Sequence, residues 1–217
     1  AQGEADMIDL VPYLPGFLAA YAILAVGAAS PGPAVAMLLG ISTVQGRGPA
    51  LITCCGIATG SMTINLLTMI GIGLLLSQAA WAMNLLRLIG AAYLLWLAWG
   101  AFRKALNPPK VSVEAAVAQS AHALFVKGYL LQVTNPKAIA FWLAIAAIGA
   151  ANGAPLPVIA AFVAGAFAIS FAMHAAWALV LSSRPVRAAY AGGRRWIEAG
   201  LGSFFTFAAF KLATAER

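Results

Sequence analysis

Two short polar runs interrupt apolar stretches of this chain and hold most of the side chains able to do chemistry there. The first is Ser30-Pro31-Gly32-Pro33; the second gathers Gln132, Thr134, Asn135, Pro136 and Lys137. Proline lacks an amide donor and clashes with a carbonyl one turn earlier, and glycine resists unwinding little, so each run predicts a broken helix, with a plain proline kink as the alternative. Past such a break a new half-helix starts with unpaired amides and the positive end of its dipole, a setting suited to a carboxylate. Asn135 adds an amide beside the second break, and Lys137 an ammonium. Lys137 either meets a substrate carboxylate or a cluster of helix-terminal carbonyls, or it lies shallow and snorkels.

Fewer polar residues remain to work with these. Ser61 and Asn65 share one helix face, with Thr68 a turn further on, and Ser170 and His174 make a comparable pair later in the chain. Such small polar residues either glue helices together or line a cavity. His174 either carries protons, because its ordinary pKa lies near neutrality, or donates quietly to a helix carbonyl. Gly56 and Gly60 have the spacing of close helix packing. Cys54 and Cys55 are adjacent, so no disulfide framework or zinc set is available. Neither a carboxylate pair, a His/Cys cluster nor a nucleophile motif is present, which argues against an enzyme; no cofactor or metal is expected.

The elements that position these residues follow from composition. The chain has 217 residues, 63% hydrophobic and only 9% charged, with a mean hydropathy of +0.90. An ordinary soluble domain carries about a quarter charged residues. The net charge of +7 therefore points to cytoplasmic loops rather than to nucleic acid. No charged residue falls between Asp9 and Arg47, Arg47 and Arg87, or Lys137 and Arg184, and a spanning helix needs about 20 apolar residues. The expected fold is an all-α integral membrane protein of six transmembrane units, at about 10–44, 49–77, 80–103, 122–150, 156–182 and 193–214. Met7 reads as a native start, which would make Ala1–Asp6 a processing remnant. With both termini outside, nine of the thirteen basic residues fall on inner loops, as the positive-inside rule requires.

A shift of 105 residues lays Pro31 on Pro136, Thr59-Gly60 on Ala164-Gly165 and Asn65 on Ser170. The order of features repeats as well: proline-broken helix, glycine-bearing helix, aromatic helix. Three spans per copy is odd, so the second copy would be inverted, a transporter arrangement that holds substrate where discontinuous helices meet. The expected organisation is a tail over 1–9, a first repeat over 10–105, a polar cytoplasmic linker over 106–121 and a second repeat over 122–217.

Ser30-Pro31-Gly32-Pro33, Gly46-Arg47, Gly56-Ile-Ala-Thr-Gly60, Leu88-Ile-Gly-Ala-Ala-Tyr-Leu94 and Lys127 through Phe141 with its Asn135-Pro136-Lys137 occur in the order seen in LysE/RhtB-type amino-acid exporters, which this chain resembles over nearly its whole length. The resemblance implies a secondary transporter in the cytoplasmic membrane, exporting amino acids or similar metabolites in exchange for protons. Many members carry an acidic residue just after the second-helix glycine, where this chain has Ser61, and no Asp or Glu lies inside the first five spans. Neutral substrates therefore fit better than cationic ones. The expected substrate site comprises Ser30, Pro31, Gly32, Pro33, Ser61, Asn65, Gln132, Thr134, Asn135, Pro136 and Lys137, with His174 and Lys137 as proton carriers. Expected partners are a small-molecule substrate, protons and the lipid bilayer, with a homodimer left open. The competing readings are a membrane thiol-redox relay through Cys54 and Cys55, or an ion channel.

Overall fold

A computed structural model of the chain describes residues 9–78, 80–107 and 119–214. The expected processing remnant, and the linker between 108 and 118, lie outside these. The described residues are almost all helical: a 3-10 turn Val11–Tyr13, then α1 Leu14–Ala29, α2 Pro33–Val44, α3 Arg47–Gln78, α4 Ala80–Leu106, α5 Ala121–Val133, α6 Pro136–Ile148, α7 Leu156–Val180 and α8 Arg184–Ala213. Val11–Ala29, Arg47–Gly71 and Leu156–Val180 are each long and apolar enough to cross a membrane. The pair α5–α6, bent by 59° at its break, makes a fourth if counted as one span. The chain is thus a helical membrane protein.

Both proline runs end one helix and start another. At the first, Ser30 leaves helical conformation with ψ 133, Gly32 is fully extended, and Pro33 opens α2. At the second, extended Asn135 precedes Pro136, which opens α6. Proline suits a first helical position because its fixed φ is already helical and the amide it lacks would be unpaired anyway. One boundary departs from expectation. The last helix begins at Arg184 rather than near 193, because Pro185 nucleates a new first turn and Gly192-Gly193 is tolerated within it. Its basic first half packs under the bundle, with Tyr190 edge-on to Trp177 and touching Val35, Leu39 and Leu181.

Neighbouring helices register against one another. Along α7, Tyr21 of α1 donates to the Phe162 carbonyl at 2.9 Å, and Arg47, just past α2, donates to Ser182 at 2.8 Å. The broken pair α1–α2 therefore runs parallel to the whole of α7, about 37 Å at 1.5 Å per residue, and the first break falls near its middle. On the other side α3 runs parallel to α5 at backbone contact. A methyl group at Gly56 would overlap the Phe125 carbonyl, and one at Gly128 the Thr53 carbonyl. The glycines at 56 and 60 do serve close packing, with Gly128 as their counterpart. α4 lies antiparallel to α8, sharing a cluster of Leu94, Ala98, Phe205 and Ala209 that Phe141 of α6 joins.

Candidate functional site

The two breaks meet. The Lys137 ammonium donates to the Ser30 carbonyl at 3.0 Å and, in closer contact, to the Ser30 hydroxyl. Ser30 is buried and its hydroxyl donates to the Gly27 carbonyl at 2.9 Å. Lys137 thus binds the carbonyl end of α1, one of the alternatives its sequence position allowed. Gly32 permits the approach, since a Cβ there would stand 3.3 Å from the Lys137 nitrogen. The Asn135 side chain accepts from the Lys137 amide at 3.0 Å, so it caps α6, while α2 has no side-chain cap. The leading amides of α2 are left for another acceptor.

Around this junction lies a small cavity of about 40 Å³, room for a few waters at most. Its polar wall includes Ser30, Ser61, Gln132, Asn135, Lys137 and His174. Gln132 donates to the Ser61 hydroxyl at 2.7 Å and Ser170 donates to the same oxygen at 3.2 Å. One chain of hydrogen bonds so ties α5, α3 and α7 together at the level of the breaks. His174 Nδ1 lies 2.7 Å from the Ser170 carbonyl. A carbonyl can only accept, so Nδ1 carries the proton and Nε2 has no hydrogen-bond partner among the described residues. The quiet hydrogen bond considered for His174 is present, yet the ring also lines the cavity.

A second, larger space of about 650 Å³ adjoins the first. Ser30, Gly32, Pro33, Asn135 and Lys137 line both spaces, so they form the partition. Pro31 and Pro136 face only the larger one, with Tyr93, Trp96, Arg103 and Lys104 of α4 and Glu198 of α8. Two expected site residues stand apart from both. Asn65 is buried beside a separate niche under the α6–α7 turn, because Ser61, one turn earlier, is the α3 residue opposite Ser170. Thr134 is exposed and returns its hydroxyl to the Leu130 carbonyl at 2.7 Å, as hydroxyls in helices do when no other partner is near. Cys54 is buried in an apolar cluster, and neither cysteine lines either space.

Residues 25–216 match the LysE type translocator family. The chain belongs to that family. Among its relatives, the threonine efflux protein of Escherichia coli K12 is 27% identical over 195 residues, 87% of this chain and 93% of that one. The leucine efflux protein of Klebsiella pneumoniae is 29% identical over 140 residues, 64% of this chain and 62% of the relative. The membrane protein YahN of Escherichia coli K12 is 27% identical over 116 residues, 54% of this chain, which spans about half the length of that relative. No solved structure matches.

Sequence reasoning had not assigned the α4–α8 wall to the site. Its signal was present in helical spacing: Tyr93, Trp96, Gly100 and Arg103 recur at intervals of three and four, with Lys104 beside Arg103, and place aromatic and basic groups on one face of α4. Glu198 was visible as the one acid of the last span that could answer Lys137.

Proposed function

We propose that the protein exports neutral amino acids or closely related small metabolites across the cytoplasmic membrane in exchange for protons, binding them where the two broken helices meet. The observation that carries this reading is the Lys137–Ser30 bond, which joins two helix interruptions distant in sequence. A lysine at that depth costs about 2.5–3.5 kcal/mol on insertion scales unless it has a partner or a task. In this conformation its partner is the main chain of the other break. A substrate carboxylate would take over the ammonium and the uncapped amides of α2, releasing Ser30 and letting the two halves rock. The threonine and leucine named in two relatives accord with a neutral cargo.

The six units form two inverted repeats in this reading, and both termini lie outside. Three packing relations support it: α3 beside α5 and α7 beside α1, each pair parallel, and α4 antiparallel to α8. His174 and Lys137 carry the protons. The test is flux into proteoliposomes across a panel of amino acids, with and without a pH gradient. Saturable, gradient-driven movement of a neutral amino acid is expected; gradient-independent conductance would replace a carrier with a channel.

A further inference from the structure

Space separates the two chambers. The inner cavity, at about 40 Å³, has no room for an amino acid, whereas the 650 Å³ vestibule lies within the ~300–1,000 Å³ range of small-molecule sites. The vestibule also holds polar atoms whose needs the protein does not meet. Glu198 is only 2% exposed. Its Oε1 lies 3.8 Å from Arg194 Nε, an ion pair longer than a hydrogen bond, and has no hydrogen-bond partner among the described residues. The Tyr93 hydroxyl is buried and likewise unpartnered among the described residues. Buried polar atoms are nearly always satisfied; Glu198 has Arg194 as its counter-ion, yet Oε1 itself, like the Tyr93 hydroxyl, lacks a hydrogen-bond donor or acceptor among the described residues. Two such orphans lining one chamber point to a ligand that donates hydrogen bonds. The same chamber presents the cations Arg103, Lys104 and Lys137.

We propose that this vestibule is a second, outer subsite for a free zwitterionic amino acid, whose ammonium binds Glu198 and the Tyr93 hydroxyl and whose carboxylate faces Lys104 and Arg103. The inference rests on the transport reading above and adds where the cargo waits before the Lys137–Ser30 partition opens. Three cations against one acid disfavour a cargo with a basic side chain, while Trp96 and Phe205 offer apolar surface to an uncharged one. Arg103 is held over the Trp99 ring at 4.8 Å, which keeps its guanidinium at the rim.

The test is equilibrium binding of radiolabelled L-leucine, L-threonine and amine-blocked N-acetyl-L-leucine to the full-length protein in lipid nanodiscs. Wild type is expected to bind L-leucine about tenfold or more tightly than N-acetyl-L-leucine, the scale of a charge-assisted hydrogen bond. Glu198→Gln should erase that preference by weakening L-leucine alone, and Tyr93→Phe should narrow it while leaving the melting temperature unchanged. Full preference in both variants would overturn the proposal, as would wild type binding neither L-leucine nor L-threonine. Displacement of leucine by added phosphatidylethanolamine would also overturn it, giving the chamber to a lipid headgroup. Gln132→Ala, at a residue that lines only the inner cavity, separates the two readings: flux lost with vestibule binding kept supports both, and flux kept with binding kept leaves the outer subsite standing while removing the central one.

Discussion

At the scale of single residues, the junction of Lys137 and Ser30 concentrates the demands that sequence could only pose as alternatives. Lys137→Ala and Asn135→Ala are expected to abolish proteoliposome flux while the protein stays folded and monodisperse in detergent. The first loses the ammonium and the second the cap on its helix, worth about 1 kcal/mol. Near-wild-type flux in both would remove the second break from the site. Gly32→Ala should impair transport more gently, because its methyl would press mainly on the far end of the long Lys137 side chain, which can shift by a few tenths of an ångström. His174→Gln retains a side chain able to donate to the Ser170 carbonyl but cannot titrate, so flux should lose much of its dependence on the pH gradient. Unchanged dependence would take the proton from His174.

At the scale of elements, helix against helix decides which polar residues meet. Gly56, Gly60 and Gly128 let α3 and α5 approach to backbone contact, and that approach sets Ser61 against Gln132. Gly128→Val would drive a branched side chain into the Thr53 carbonyl, at a cost of about 1–3 kcal/mol or more. A lower melting temperature in detergent and weaker flux are expected; unaltered stability would contradict the close packing. The proline positions were legible from residue type, since Pro33 and Pro136 each remove an amide donor inside a long apolar stretch, whereas the structure shows that each is a break and not a kink. The face of α3 was not. Ser61 and Asn65 lie four residues apart on one side of one helix, and only the angle at which α7 crosses it separates a residue in the cavity wall from one in a neighbouring niche.

At the scale of the whole molecule, the connections between helices gather at two opposite ends of the bundle. Gln45 accepts from the Gln119 amide at 3.2 Å and Arg47 reaches Ser182, so these connections share one end. Gly16 lies against Ala150, which puts the α6–α7 turn at the other. With basic residues facing inward, a cysteine at Ser120 in a Cys54/Cys55-free protein should react with an impermeant thiol reagent only from the cytoplasmic side, and one at Asn152 only from the outside. Labelling of both from one side would refute the orientation.

What the sequence by itself determined was the solvent and the weak points. Apolar composition made the chain a membrane protein, because only closed backbone hydrogen bonding survives in lipid, and the prolines marked where that bonding must fail. Tertiary structure alone decided that the failures face each other. It also decided that Lys137 is satisfied by main chain in this conformation, that Asn65 and Thr134 turn elsewhere, and that α4 and α8 enclose a vestibule with Glu198 in its wall. These are relations between helices far apart in the chain, and local spacing, which at Gly56 and Gly60 marks a close approach, carries no record of which partner approaches or at what crossing angle.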